Sequence, residues 1–152
     1  MNFDFLSPVP DLVLAHNQLL SPQALGRKLR IHSAQKGIPD LEGVNIAIIG
    51  VLENRNDINY LGEDFKLNEI RKSLYALYPG SWTTTIADLG DINKGERVED
   101  TYFALKTTIT TLIKKKIIPI IIGGSQDLTY PTYRAYDELI PMVNIVSVDC
   151  SF

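Results

Sequence analysis

Cysteine and histidine are nearly missing from this chain of 152 residues, which holds one cysteine, Cys150, and two histidines, His16 and His32. One thiol excludes an internal disulfide framework, and three such residues scattered over the sequence exclude a Cys/His zinc site. Charge of one sign is also lacking: 15 basic residues against 18 acidic give a net charge of −3 and a pI near 5.3. That balance offers no general attraction to phosphate backbones, so no nucleic acid partner is expected. No apolar stretch approaches the roughly 20 residues that a membrane span needs, and Asp4, Pro8, Pro10 and Asp11 break any secretory apolar region. The expected address is the cytoplasm. What is present, 45% hydrophobic and 22% charged residues, is the composition of an ordinary folded protein with one core.

Residues 1–43 read as an N-terminal arm and helix, and residues 44–152 as an α/β domain. Apolar residues mixed with prolines over positions 1–20 predict an extended arm and a short helix. Ser21-Pro22 then supplies an N-cap and a first-position proline for a helix reaching about Lys36, with Gly37 as its stop. From Val44 onward strands alternate with amphipathic helices. Strands are predicted at Ile46–Val51, Thr83–Ala87, Ile117–Ile122 and Asn144–Val148, the third fully buried. Helices are predicted at Lys66–Tyr78, from about Val98 to Lys116, and from Asp127, as N-cap, to about Leu139. Such alternation implies a parallel sheet with right-handed crossovers.

Two apolar strands end in polar residues: Ile117 to Ile122 runs into Gly123-Gly124-Ser125-Gln126-Asp127, and Val146-Ser147-Val148 into Asp149-Cys150-Ser151-Phe152. Parallel strands place such ends on one rim, where open α/β sheets build their sites. Gly123 and Gly124 read first as a tight turn and second as an anion cradle. A nucleophilic role for Cys150 lacks a neighbouring histidine to serve as its base. Asp88 and Asp91 read as structural.

Five segments, Asn45 to Val51, the helix with Ile70-Arg71 and Leu74-Tyr75, Ala87 to Ile92, Ile122-Gly123-Gly124, and Ser147-Val148-Asp149, occur in the order and spacing of the ureohydrolases. The chain from about residue 44 to 152 resembles the N-terminal part of that family, which comprises arginases, agmatinases and formimidoylglutamases, and it is most similar to the formimidoylglutamase-like members. The resemblance implies a three-layer, arginase-like parallel sheet with helices on both faces, of which this chain carries only the N-terminal portion of about four strands.

It also implies manganese-dependent hydrolysis of a small linear amidine or guanidino compound by a metal-bridged hydroxide. The family motif Gly-Gly-Asp-His-Ser falls on Gly123, Gly124, Ser125, Gln126 and Asp127, which puts Gln126 at the histidine and Ser125 at the aspartate. In Asp-Ala-His-x-Asp the first ligand is kept as Asp149, while Ser151 stands at the histidine. Amide and hydroxyl groups are poor substitutes for imidazole at manganese. The expectation is therefore a degenerate site, Asp149 its one retained metal ligand, no manganese bound and no catalytic residue assignable. The alternatives are an active C–N hydrolase with altered ligands in a longer protein, and a non-catalytic small-ligand or protein-binding module. Residue 152 falls at the mouth of a βα loop, so truncation is expected, and the exposed sheet edge this leaves is expected to drive homo-oligomerisation.

Overall fold

A computed structural model of the chain describes residues 3–59, 62, 66–140 and 142–148. The sheet contains five strands: β1 (Leu6–Ser7), β2 (Arg30–Ile31), β3 (Ile46–Val51), β4 (Ile86–Ile92) and β5 (Ile118–Ile122). Four α-helices accompany them: α1 (Asp11–Leu19), α2 (Leu67–Tyr75), α3 (Val98–Lys114) and α4 (Thr129–Asp137). The order is β1-β4-β3-β5, with β2 beside β4. The three long strands β4, β3 and β5 run parallel, β2 lies parallel to β4, and β1 closes antiparallel on β4. Two of the five strands come from residues before Val44, so the arm is part of the sheet.

Alternation along the strands divides the core between two faces. Ala47, Ile49 and Val51 of β3 join Ala87 and Leu89 of β4 in a cluster with Ala104, Leu105, Ile109 and Leu112 of α3 and Ala135 of α4. On the other face Tyr75 of α2 packs with Val9 and Val13 of the arm and α1. The result is a three-layer α/β/α arrangement.

The register between β3 and β4 shifts after Ile48↔Asp88, resuming at Gly50↔Asp91. An extra residue in β4 turns residues three apart onto the same face, where an unbroken strand would send them to opposite faces. Gly90, at φ +87°, supplies the left-handed conformation that the irregularity needs, and a side chain there would run into the backbone of Ser7 in β1. Asp88 and Asp91 therefore both meet Arg71 of α2. Arg71 Nε bonds Asp88 Oδ2 at 2.9 Å, Arg71 Nη1 bonds Asp91 Oδ1 at 2.6 Å, and Tyr75 Oη donates to Asp88 Oδ2 at 2.8 Å. All four side chains are buried. Burial by itself would lower the Arg71 pKa, but Asp88 and Asp91 outweigh it and raise it. The two aspartates are structural, as their sequence context suggests, and they sit inside a strand.

Four expectations need correction. The helix predicted from Ser21 to Lys36 is a 3₁₀ turn at Leu25–Arg27 followed by β2, because His32 and its neighbours bond to β4: His32 N–H reaches Asp88 O at 2.9 Å, and the His32 ring meets Leu89 O. The strand placed at Thr83–Ala87 starts at Ile86 and continues through Ile92. β5 is not buried: Ile118 is 61% and Ile120 44% exposed, because among the described residues β3 is its one strand partner and its other edge is left open. Asn144–Val148 forms no strand among the described residues, and Ile145, Val146 and Val148 are exposed. An apolar β-branched run becomes a strand only when a ladder partner takes up its backbone groups.

Candidate functional site at the carboxyl rim of β3 and β5

The β3-to-β4 crossover runs through α2 on one face and the β4-to-β5 crossover through α3 on the other. The point where the winding reverses thus lies between β3 and β5, whose carboxyl ends open into residues 52–57 and 123–128. Gly123 (φ +95°) and Gly124 (φ +83°) turn the chain sharply after β5, and a side chain at 124 would approach Glu53 O to 2.9 Å. Ser125 is buried, and its N–H donates to Glu53 O at 2.9 Å, so the turn is sewn to the β3 loop. Gln126 is exposed and opens a 3₁₀ turn, Gln126–Leu128, that leads into α4.

Asp127 is not a helix cap: no side chain caps either the 3₁₀ turn or α4. Its Oδ2 instead accepts hydrogen bonds from Tyr102 Oη and, at 3.0 Å, from Asn56 Nδ2, while Asn56 Nδ2 also lies 3.1 Å from Tyr102 Oη. The carboxylate thereby ties the β5 loop to the β3 loop and to the first turns of α3. Burial would raise its pKa, but the hydrogen bonds from Ser125, Tyr102 and Asn56 outweigh burial and hold it below the ordinary value. Tyr102 is pushed up, by burial and by Asp127.

A second carboxylate lies deeper. Glu53 is fully buried, with Arg55 Nε on Oε1 at 2.8 Å and Arg55 Nη2 on Oε2 at 2.5 Å. Thr101 Oγ1 donates to Oε2 at 2.9 Å, and Arg55 reaches on to Gly95 O and Glu96 O. The Arg55 hydrogen bonds hold the Glu53 carboxyl down at about 2, against the opposing effect of burial. A carboxylate so held stays ionised at neutral pH and has no proton to exchange, so its work is positioning.

The structure thus brings Gly123, Gly124, Ser125, Gln126 and Asp127 together on one rim with Glu53, Asn56 and Tyr102. The remaining candidates, Asp149 and Ser151, lie outside the described residues, as does Cys150. Glu53, Asn56, Thr101 and Tyr102 carry no motif, and the one sequence signal for them is a polar loop after an apolar strand, joined by hydroxyls in the first turn of α3. Among the described residues no group of three or more His, Cys, Asp or Glu could hold a metal ion. Among the described residues, the side chains at the motif positions 125–127 are a hydroxyl, an amide and one carboxylate, a set that does not by itself fit a pair of manganese ions. Among the described residues no helix is long and apolar enough to cross a membrane.

The chain is 26% identical over 145 residues to the human guanidino acid hydrolase, mitochondrial, a match covering 88% of this chain and 41% of that protein. Its fold superposes on formiminoglutamase of Trypanosoma cruzi with a TM-score of 0.62 at 22% identity, covering 78% of this chain and 42% of that one. It superposes on formimidoylglutamase of Bacillus subtilis with a TM-score of 0.59 at 22% identity, covering 76% and 38%. The chain therefore spans about two fifths of the length of these relatives. Residues 44–150, from just before β3 to beyond α4, match the arginase family as a whole, and the chain belongs to that family.

Proposed function

We propose that this chain is the N-terminal portion of a ureohydrolase-like protein whose dimanganese site is degenerate, and that the chain does not catalyse hydrolysis by itself. What supports this reading is the motif match that sets Gln126 at the family's histidine, together with the rim after β5, where Tyr102 and Asn56 both engage Asp127 Oδ2. For the whole protein the proposed substrate class is a small amidine or guanidino compound, which the name of the human relative supports. The proposed compartment is the cytoplasm, although that relative is named mitochondrial.

Calorimetric titration of the purified chain with manganese near neutral pH tests the reading. The expected outcome is weak binding or none. Stoichiometric uptake of two ions with a dissociation constant below about 10 μM, roughly −7 kcal/mol, overturns it.

A further inference from the structure

The outer edge of β5 carries a hydrogen-bonding pattern that matches itself. Backbone groups along a strand point alternately to one side and the other. Ile118 N–H bonds Asn45 O, so the N–H and C=O groups of Ile118, Ile120 and Ile122 face β3, and those of Ile117, Pro119 and Ile121 face outward. Leu112 O takes the Ile117 N–H, and Pro119 has no N–H to offer. The outward donors of the edge are therefore the N–H groups of Ile121 and Gly123, the second standing just before the chain turns away at positive φ. Its outward acceptors are the carbonyls of Ile117, Pro119 and Ile121. Among the described residues no strand pairs with them.

An antiparallel copy of the same strand fits this pattern. With a two-fold axis at Ile121, each Ile121 N–H meets the Ile121 carbonyl of the other copy, and each Gly123 N–H meets the other Pro119 carbonyl. With the axis one residue earlier, at Ile120, the same donors meet the carbonyls of Pro119 and Ile117. Either register leaves no outward N–H unpaired, so the donor missing at Pro119 does not block the pairing. Ile118, Ile120 and Ile122 share one face of β5, and Ile118 and Ile120 are exposed, so the pairing also joins two apolar stripes.

Charge selects the direction. Lys114, Lys115 and Lys116 are exposed at the amino end of β5, and Asp40 and Glu42 are the acids that share a surface cleft with Lys115 and Lys116. Three lysines against two carboxylates leave that end positive. At the carboxyl end stand Asp127 and Asp57, while Glu53 and Arg55 neutralise each other, which leaves that end negative. An antiparallel pair sets each positive end beside the negative end of the other copy, whereas a parallel pair sets like beside like.

We propose that the outer edge of β5 is a self-recognition surface, on which a second copy of this chain adds its own β5 antiparallel about a two-fold axis at Ile120 or Ile121. The contact uses the same patch on both copies and closes on itself, so assembly stops at a dimer. It stands whether or not the β5 rim holds metal. A strand pair of this length is small beside interfaces of roughly 1,200–2,000 Å², so the expected dissociation constant is on the order of 10–100 μM.

Sedimentation velocity of the 152-residue chain, and cross-linking of single-cysteine variants made in Cys150→Ser, test it. A monomer–dimer equilibrium is expected. A bis-maleimide reagent spanning about 8 Å, the reach of diagonal neighbours in a strand pair, should link Ile120→Cys to itself. It should not link Lys115→Cys, whose two copies lie more than about 25 Å apart at roughly 3.3 Å per residue. Lys115→Glu should weaken the dimer about threefold or more, and salt raised to about 0.5 M should weaken it too. Positions 115 and 120 are exposed, so these variants keep the fold. The proposal is overturned by a chain that stays monomeric up to about 200 μM, by growth beyond the dimer, by a dimer in which Ile120→Cys fails to link or Lys115→Cys links, or by a Lys115→Glu dimer as tight as the parent.

Discussion

Glu53 shows how much one buried side chain governs at the rim of this sheet. Its carboxylate is placed by Arg55, two residues on in the same loop, and by Thr101 from α3, so loss of its charge loosens the β3 loop and the α3 start together. The folded carboxyl titrates at about 2 against an ordinary 4.5, so the folded state favours the ionised form. A depressed acid contributes stability that is present above 4.5 and is lost as the pH falls through the folded value. Glu53→Gln is expected to lower the unfolding free energy by about 2 kcal/mol at pH 7, from the lost charge-assisted bonds. In urea unfolding at pH values from 2 to 6, the parent chain should lose this contribution between about pH 4.5 and 2. The variant should not, and parallel pH profiles for the two would show that Glu53 is not held as its hydrogen bonds imply.

At the scale of the element, β4 depends on its irregularity and β5 on its edge. Gly90 is needed both for its positive φ and for the close approach of the Ser7 backbone, so Gly90→Ala strains the bulge and pushes β1 away. The expected cost is on the order of 2–3 kcal/mol, read from the midpoint of chemical denaturation with an unchanged m-value. A loss under about 0.5 kcal/mol would show that the bulge does not constrain β4. In β5, Ile118 N–H bonds Asn45 O, and inward and outward backbone groups alternate along a strand, so Pro119 presents its donorless nitrogen to the open edge. Pro119 therefore costs the β3–β5 ladder nothing, while it removes one donor from any strand that pairs outside. The three parallel strands β3, β4 and β5, with α2 and α3, follow the apolar periodicities of the sequence, whereas β1 and β2 do not. The Ser21 helix fails because the caps are local signals, whereas the backbone of residues 30–32 is claimed by a strand more than fifty positions away.

At the scale of the whole molecule, β5 has no strand partner on its outer side among the described residues. Ile118 and Ile120 are exposed on β5, and Ile145, Val146 and Val148 farther along the chain are exposed as well; exposed apolar surface of this kind favours association. We expect the purified chain to self-associate through this edge, as dimers or larger species in light scattering at micromolar concentration. Ile120→Lys, a change at an exposed position, should shift it toward monomer with little effect on unfolding, because a charge on the edge opposes strand addition. A parent chain that stays monodisperse and monomeric would sink this expectation.

Local chemistry, read from the sequence by itself, determined the parallel α/β scaffold, the family resemblance and the structural role of Asp88 and Asp91. These are matters of periodicity, turn residues and donor type, each written within a few consecutive positions. Only the tertiary structure decided that the N-terminal arm completes the sheet, that among the described residues β5 has one strand partner and Asn144–Val148 none, and that Asp127 is bound to Tyr102 and Asn56 and does not cap α4. It alone placed Glu53 with Arg55 and Thr101. Each of these joins residues tens of positions apart, and such pairings are chosen by competition among distant partners for the same backbone groups, charges and buried space, which no local pattern records.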